Sequence, residues 1–476
     1  MHAPLSNRRK KENIKTVQNM EKEPIVAAID IGTTKIVCLV GKKMEKGRIE
    51  ILAMSKTPST GVKRGVVLNI EETVHAIQKT VEEVKQNSGV IFDEVYVGIA
   101  GQHIRTVQSR GYVNINNEED EIRREDIDRL LEDMTQLPVD PGEEIIHVLP
   151  QNFIVDSETG VYNPVGMSGR RLEGNFHVVI GKVASARNIE RCVTRVGLNV
   201  KDLILEPLAS ASAVLTRDEK EAGVALVDIG GGTTDIAVYY DNVIRATAVI
   251  PFGGNVVTSD IKEGCRILQK QAEVVKINFG MALSDIAPDD KVVTIPGIAG
   301  REPKEFSFKY IANIIQARME EILEEVMYHI RNSGVADKLS AGIVLTGGGA
   351  MLKHLPQLVK FKTGYDVRIG LPNQRLFGEL AQEINQPMYA TAAGLILEGF
   401  KMEEKKQEPR TNVSLTEKKQ EEENEAEDRE MTSVPRQGKS SWKMKKKGQS
   451  LLTKVGLLLE NIFEEKGASM EEEKES

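Results

Sequence analysis

From about Pro24 to Phe400 the apolar residues of the chain fall into two alternating rhythms. Short runs rich in Val, Ile and Leu have the length and branching of buried strands. They alternate with stretches whose apolar residues recur every three or four positions. Segments 126–134 and 308–331 carry the second rhythm. In the longer one Ile311, Ile314, Ile315, Ile322 and Val326 form one stripe, and Gly334 supplies a stop. Strands alternating with amphipathic helices predict an α/β fold.

The pattern changes after Phe400. Residues 401–440 are dense in Glu, Lys and Gln with almost no large apolar side chains. Such a stretch buries too little surface to offset its ordering entropy, so it is expected to be a disordered linker. A helical period returns within 441–466, ahead of an acidic tail, 467–476. On a helical projection Leu451, Leu452, Val455, Leu458, Leu459, Ile462 and Phe463 fall within an arc of roughly 140°. Leu457 is the one large apolar residue off that face. Upstream, Lys439, Lys443, Lys445, Lys446 and Lys447 flank Trp442, a side chain suited to the lipid interface. A stripe that no folded neighbour is obliged to bury predicts a reversible membrane anchor, each lysine adding about 1 kcal/mol near anionic lipid. Glu460, Glu464 and Glu465 oppose that attraction, so apolar burial carries much of the binding. Docking of this helix on protein is the alternative.

Composition narrows the function classes. The 476 residues are 28% charged and 40% hydrophobic, fitting a soluble globular protein of two or more domains with a polar extension. A net charge of −8 argues against general nucleic-acid binding, which favours a basic face. No stretch reaches the roughly 18 apolar residues of a membrane span. Residues 1–23 are basic at Arg8, Arg9, Lys10 and Lys11 but have no apolar segment behind them. They read as a disordered leader rather than a secretory signal. Cys38, Cys192 and Cys265 lack metal-ligand spacing and are expected to be reduced and buried.

The candidate chemistry lies in an internal repeat. Ala28-Ile29-Asp30-Ile31-Gly32-Thr33-Thr34-Lys35-Ile36-Val37 is echoed, about 200 residues later, by Leu226-Val227-Asp228-Ile229-Gly230-Gly231-Gly232-Thr233-Thr234-Asp235-Ile236-Ala237. Each copy reads as a strand ending in Asp, a Gly/Thr turn and a second strand. Glycine lets backbone amides approach phosphate oxygens, and threonine hydroxyls add donors at the same place. An Asp beside phosphate is productive only with a cation between them. Asp30 and Asp228 on opposed hairpins would therefore hold hydrated Mg²⁺. A third element, strand 341–345 running into Thr346-Gly347-Gly348-Gly349-Ala350 and a helix over 351–360, lets a flat ring or phosphate approach the backbone. Neither G-x-G-x-x-G nor a P-loop is present: before Gly438-Lys439-Ser440, Ser433 stands where the first P-loop glycine belongs.

Two phosphate hairpins and a Gly-rich loop resemble the actin, hexokinase and Hsp70 superfamily. Further stretches resemble, more narrowly, the FtsA family of bacterial cell-division proteins. They are Glu206-Pro207-Leu208-Ala209-Ser210, His147-Val148-Leu149-Pro150-Gln151, Asn163-Pro164-Val165-Gly166-Met167 and Gly253-Gly254-Asn255-Val256-Val257. The resemblance implies a two-lobed actin-like ATPase fold in the order 1A (24–100), an inserted 1C subdomain (101–181), return to 1A (182–222), 2A (223–256), 2B (257–338) and return to 2A (339–400). It implies ATP and Mg²⁺ as cofactors. Asp30, Gly32, Thr33, Thr34 and Lys35 would line the first phosphate loop; Gly230, Gly231, Gly232, Thr233 and Thr234 would line the second. Gly347, Gly348 and Gly349 would form the adenosine loop, Glu206 would orient water or metal, and Glu273 and Lys276 would touch the nucleoside. It also implies polymerisation, binding of the C-terminal tail of the tubulin-like FtsZ through 2B at Arg318 and Glu321, other divisome partners, and residence on the cytoplasmic side of the inner membrane at the division site.

Two other readings share the superfold. A small-molecule kinase needs a carboxylate base and a polar sugar pocket for which no signature is present. A pilus-assembly ATPase resembling PilM shares the 1C-bearing fold, but such proteins reach the membrane through a partner peptide rather than a C-terminal helix. No motif fixes whether, or how fast, ATP is hydrolysed, because that depends on an in-line water and on closure.

Overall fold

The computed structural model describes residues 24–44, 48–117, 119–297, 301–372 and 375–407. The expected leader, the linker from residue 408 onward, Trp442 and the amphipathic stripe of 451–463 lie outside the described residues.

Two sheets share one strand plan. In the first lobe Ile25–Ile31, Lys35–Lys43 and Ile49–Pro58 run antiparallel in succession. Glu94–Ile99 and then Asn199–Leu205 add in parallel on the open side of the first strand. The second lobe repeats this with Val224–Ile229, Thr234–Tyr240 and Val243–Ile250, then Ile343–Thr346 and Val367–Ile369 in parallel. The repeat seen in the sequence is thus the first hairpin of a five-strand plan that both sheets share, to which Leu376–Phe377 adds a sixth strand beside Ile49–Pro58 in the first. Val26 to Ile31 and all of Val224–Ile229 are buried, which accounts for runs that are apolar without alternation.

Two helices, Glu206–Val214 and Ala390–Gln407, join the sheets. They cross so closely that a Cβ on Gly394 would stand 1.8 Å from the Ala209 carbonyl oxygen. Leu208, Ala209, Leu395 and Ile396 share one core with Ile29 and Leu39 of the first sheet and Leu226 and Val344 of the second. The other face of the second sheet packs on helices Gly254–Cys265, Phe308–Asn332 and Leu355–Thr363. Between the first lobe's strands the chain leaves to form a four-stranded antiparallel sheet, in spatial order Arg105–Asn114, Arg171–Lys182, Glu143–Val155 and Glu158–Val161. Helix Arg124–Thr135 covers it, and Leu130, Phe153 and Phe176 lie in its separate core. This insertion touches the second lobe: Gln151 donates to the Ile244 carbonyl, and His177 Nε2 lies 2.9 Å from Thr247 Oγ1.

Element boundaries follow local chemistry. Helix Phe308–Asn332 is capped by Ser307, whose side chain accepts from the Tyr310 amide, and Gly334 at φ +75° follows its end. The helix expected over 351–360 instead begins at Leu355, after a 3₁₀ turn at Gly348–Met351; Pro356 sits in its first turn, where a missing N–H costs nothing. The last helix runs through Lys401 to Gln407, past the point where composition ends the folded chain. Met402 is buried, and Glu403 is hydrogen-bonded to Tyr96 at 2.5 Å and ion-paired with Lys201 at 2.6 Å. The three cysteines are free and buried; burial pushes the Cys38 thiol up to about 12. Among the described residues, no helix is long and apolar enough to cross a membrane.

Candidate functional site

The two Gly/Thr turns meet. A Cβ placed on Gly231 would stand 2.2 Å from Thr34 Cγ2, and one on Gly232 would stand 2.4 Å from Thr33 Oγ1. Glycine is therefore required in the second turn by the close approach of the first. Thr33 Oγ1 accepts from the Gly65 amide at 3.2 Å. The helix Gly254–Cys265 starts against the second turn: the Gly254 and Asn255 amides donate to the Gly230 and Gly231 carbonyls at 2.9 and 2.8 Å. Thr234 is not part of the turn's lining. Strand alternation points its side chain into the core, where its hydroxyl donates to the Phe252 carbonyl at 2.8 Å.

Four carboxylates gather behind the turns. Asp30 and Asp228 are buried at the ends of their strands, and Glu206 heads the helix after strand Asn199–Leu205. Its carboxylate lies over Gly98, whose added Cβ would come 3.1 Å from Glu206 Oε1. The fourth is Asp235, directly cross-strand from Asp228. It is buried, and its Oδ1 has no hydrogen-bond partner among the described residues. Like charges directly opposed across a strand pair repel. Burial pushes the Asp30 carboxyl up to about 6; Lys35 opposes this and Asp228 adds to it. Burial, then Asp30, Asp235 and Asp228, push Glu206 well above the usual carboxylate range. Burial and then Asp228 do the same to Asp235. Asp228 is raised by burial but relieved by hydrogen bonds from Ser210 at 2.7 Å and Thr391 at 3.3 Å, and by Lys35. Lys35 is the cation facing this group, and its Nζ lies 5.8 Å from the ring centre of the fully buried Tyr389. Lys56 stands over the same ring and donates to the Tyr389 hydroxyl at 2.9 Å.

This donor set suits a hard cation held through its waters. Among the described residues no three His, Cys, Asp or Glu side chains converge tightly enough to hold a bare ion. A hard divalent cation that keeps several of its waters accepts such spacing.

The remaining predicted residues divide. Gly347, at φ +82°, lies against the second hairpin; its added Cβ would stand 2.2 Å from Asp228 Oδ1, and that of Gly349 2.4 Å from Ile229 Cγ2. A Cβ on the exposed Gly348 would meet only Met388 Cβ, at an ordinary 4.0 Å. Lys276 pairs with Glu273 at 2.9 Å and donates to the Gly254 carbonyl and Thr258 Oγ1 at 2.9 and 2.8 Å. The pair thus braces the helix start beside the second turn. Arg318 and Glu321 lie away from the cleft on Phe308–Asn332. Arg318 makes a two-pronged bond to Asp260, at 2.5 and 3.1 Å, and also donates to Glu321. Asp235, Ser210, Thr391 and Tyr389 join the site without having been assigned to it from sequence. For Asp235 the signal was present: it follows Thr233 and Thr234 in the second repeat, where Lys35 follows Thr33 and Thr34 in the first.

Two opposed sheets of identical plan, a hairpin from each meeting at a carboxylate-lined cleft, and a separate inserted sheet define an actin-like protein. Solved structures agree on the fold. The PilM-PilN type IV pilus biogenesis complex is 15% identical, with a TM-score of 0.56, covering 79% of this chain and 98% of that one. MreB5 of Spiroplasma citri bound to ADP is 14% identical, with a TM-score of 0.51, covering 81% and 98%. Residues 225–394 match the family model "Cell division protein FtsA", and residues 101–180 match "SHS2 domain inserted in FTSA". Cell division protein FtsA of Pseudomonas aeruginosa is 41% identical over 376 residues, 79% of this chain and 89% of that protein. The chain belongs to the FtsA family of cell-division proteins.

Proposed function

We propose that the protein binds ATP with Mg²⁺ between its two hairpins, polymerises on the inner face of the cytoplasmic membrane, and tethers FtsZ filaments there at the division site, helping to recruit other divisome proteins. The observation that carries the nucleotide part is the meeting of the two glycine turns in front of four carboxylates and Lys35. Backbone amides of Gly32, Gly231 and Gly232 take phosphate oxygens, while the Gly230 amide closes the turn on the Thr233 carbonyl, and Lys35 supplies a cation beside them. Asp30 and Asp228 would hold a hydrated magnesium ion, which would supply positive charge to the phosphates. Asp235, cross-strand from Asp228 and with an unpartnered Oδ1 among the described residues, would add a third carboxylate toward that ion. Glu206 is the carboxylate assigned to orient a water, and closure of the lobes decides whether that water lies in line. Gly347 and Gly349 seat their loop tightly on the second hairpin, which leaves the exposed Gly348 to face the base, and Glu273 and Lys276 hold the helix that flanks it.

Arg318 and Glu321 present the FtsZ-tail contact, and the stripe of 451–463 presents the lipid contact. One helix binds a bilayer weakly, so a filament that displays many of them binds far more tightly. The test is electron microscopy on anionic lipid monolayers with ATP, alongside liposome sedimentation of the parent and of Leu458→Glu/Leu459→Glu. Short filaments and sedimentation of the parent alone support the proposal. Isolated monomers on saturated monolayers, or a double variant that pellets like the parent, contradict it.

A further inference from the structure

Away from the nucleotide cleft, the outer edge of the first lobe carries a groove of about 1000 Å³. It lies between strand Ile49–Pro58, the end of helix Ile70–Ser88 and segment 376–383. Leu52, Met54, Leu380 and the half-exposed Phe377 give it an apolar lining. Glu50, Glu379 and Glu383 stand along it, and none of these carboxylates makes an ion pair among the described residues. Strand Leu376–Phe377 pairs only with Ile49 and Glu50, so the edge of the longer strand beyond them has no neighbouring strand among the described residues. Arg48 and Arg375 are the basic groups at that end. The Arg48 guanidinium lies 5.1 Å from the centre of the Phe377 ring, so this ring already takes a cation on one face.

The last described helix ends over neighbouring strands of the same sheet. Glu404, near the end of the last helix, pairs with Lys43; Lys43 is the strand partner of Ile49, and Ile49 that of Leu376. Two strand spacings, roughly 10 Å, therefore separate Lys43, the partner of Glu404, from Leu376 at the groove. From the end of the helix the sequence supplies about 30 polar residues and then Lys439-Ser440-Ser441-Trp442-Lys443-Met444-Lys445-Lys446-Lys447. A coil of that length spans on the order of 30 Å root-mean-square, so the segment reaches the groove at high effective concentration.

We propose that this groove holds Lys439–Lys447 of the same chain, Trp442 and Met444 seated against Phe377 and Leu380, the lysines facing Glu50, Glu379 and Glu383. An acidic, apolar slot and a basic, Trp-bearing segment are complementary in both properties. Docking withdraws the lysines from anionic lipid, so the anchor is held back until lipid competes for it. The docking itself does not depend on the lipid role, since the segment precedes the apolar stripe, and it is tested without nucleotide because Glu383, at the inner end of the groove, acts on Lys56 beside Tyr389.

Trp442 is the single tryptophan of the chain, so intrinsic fluorescence reports this segment alone. In the full-length protein without lipid or nucleotide, docking predicts blue-shifted emission, shielded from acrylamide at low salt and released at high salt. Glu50→Lys/Glu379→Lys/Glu383→Lys should lower the docked-to-free ratio by roughly tenfold or more, and Phe377→Ser should do so with the acidic rim intact. Emission of the unmodified protein equal to that of the isolated 436–450 peptide overturns the proposal, as does shielding that both variants retain. A Phe377→Cys/Ser441→Cys pair provides a test in an otherwise native chain, whose own cysteines are buried. An intrachain disulfide supports docking; a solely interchain one overturns it.

Discussion

Neutralising Asp30 should make the metal-free protein more stable. The Asp30 carboxyl is buried and shows no hydrogen bond or ion pair among the described residues, so Asp30→Asn removes a charge without breaking a bond. Burial raises its pKa from 3.8 to about 6 against the partial relief from Lys35, with Asp228 adding to the rise. Below about pH 4 folded and unfolded chains both carry the proton, and the group costs nothing. Between about pH 4 and 6 the unfolded chain releases the proton first, so stability falls as pH rises, and above pH 6 the full cost is present. A rise of about 2 units corresponds to about 3 kcal/mol as an upper figure. Urea denaturation across this range, in chelator and without nucleotide, should therefore show Asp30→Asn more stable by up to about 3 kcal/mol above pH 6, with the gap closing toward pH 4. Mg-ATP at 100 times its Kd should nearly close the gap, because it adds about 2.7 kcal/mol to a protein that binds it and little to a variant with Asp30 neutralised. A variant no more stable than the parent above pH 6, or a gap that does not change with pH, would refute the crowded-carboxylate reasoning.

Gly231→Val forces a side chain into Thr34 of the opposing turn. It should abolish ATP binding measured by fluorescent-nucleotide titration while circular dichroism shows both lobes folded; retained affinity in the folded variant removes the turn from the site. Arg318→Glu should weaken an FtsZ-tail peptide at least tenfold in fluorescence anisotropy, the scale of a lost charge-assisted contact. Because Arg318 also braces two helices through Asp260, Asp260→Asn serves as the control and should leave peptide affinity near the parent's. Equal losses in the two variants would reduce Arg318 to a brace.

What could be read from the chain alone depended on how local the requirement is. The hairpins were legible because Asp at a strand end and glycines in the turn answer to contacts a few residues apart. Asp235 and Thr234 were within reach of the same reasoning. The register pairs Asp228 with Asp235, and period-two alternation sends Thr234 to the other face. The start of helix Leu355–Thr363 was marked by Pro356. The Arg318–Asp260 bond joins residues from two helices and has no signature in either. The extension of the last helix was hidden for a related reason: residues 401–404 look solvated, yet Lys401 is ion-paired with Glu398, Glu403 with Lys201 and Glu404 with Lys43. Composition registers charge but not its partner.

The most direct measurement is calorimetric titration of the parent and Asp228→Asn with Mg-ATP and with ATP in chelator. Asparagine keeps an acceptor for Ser210 and Thr391, the two hydroxyls that hold Asp228, so the substitution reads charge rather than fold. A cation bridging the two hairpins to the phosphates predicts at least a tenfold loss of Mg-ATP affinity, about 1.4 kcal/mol, with metal-free ATP affinity nearly unchanged. Equal losses for both ligands, or none for either, would contradict it.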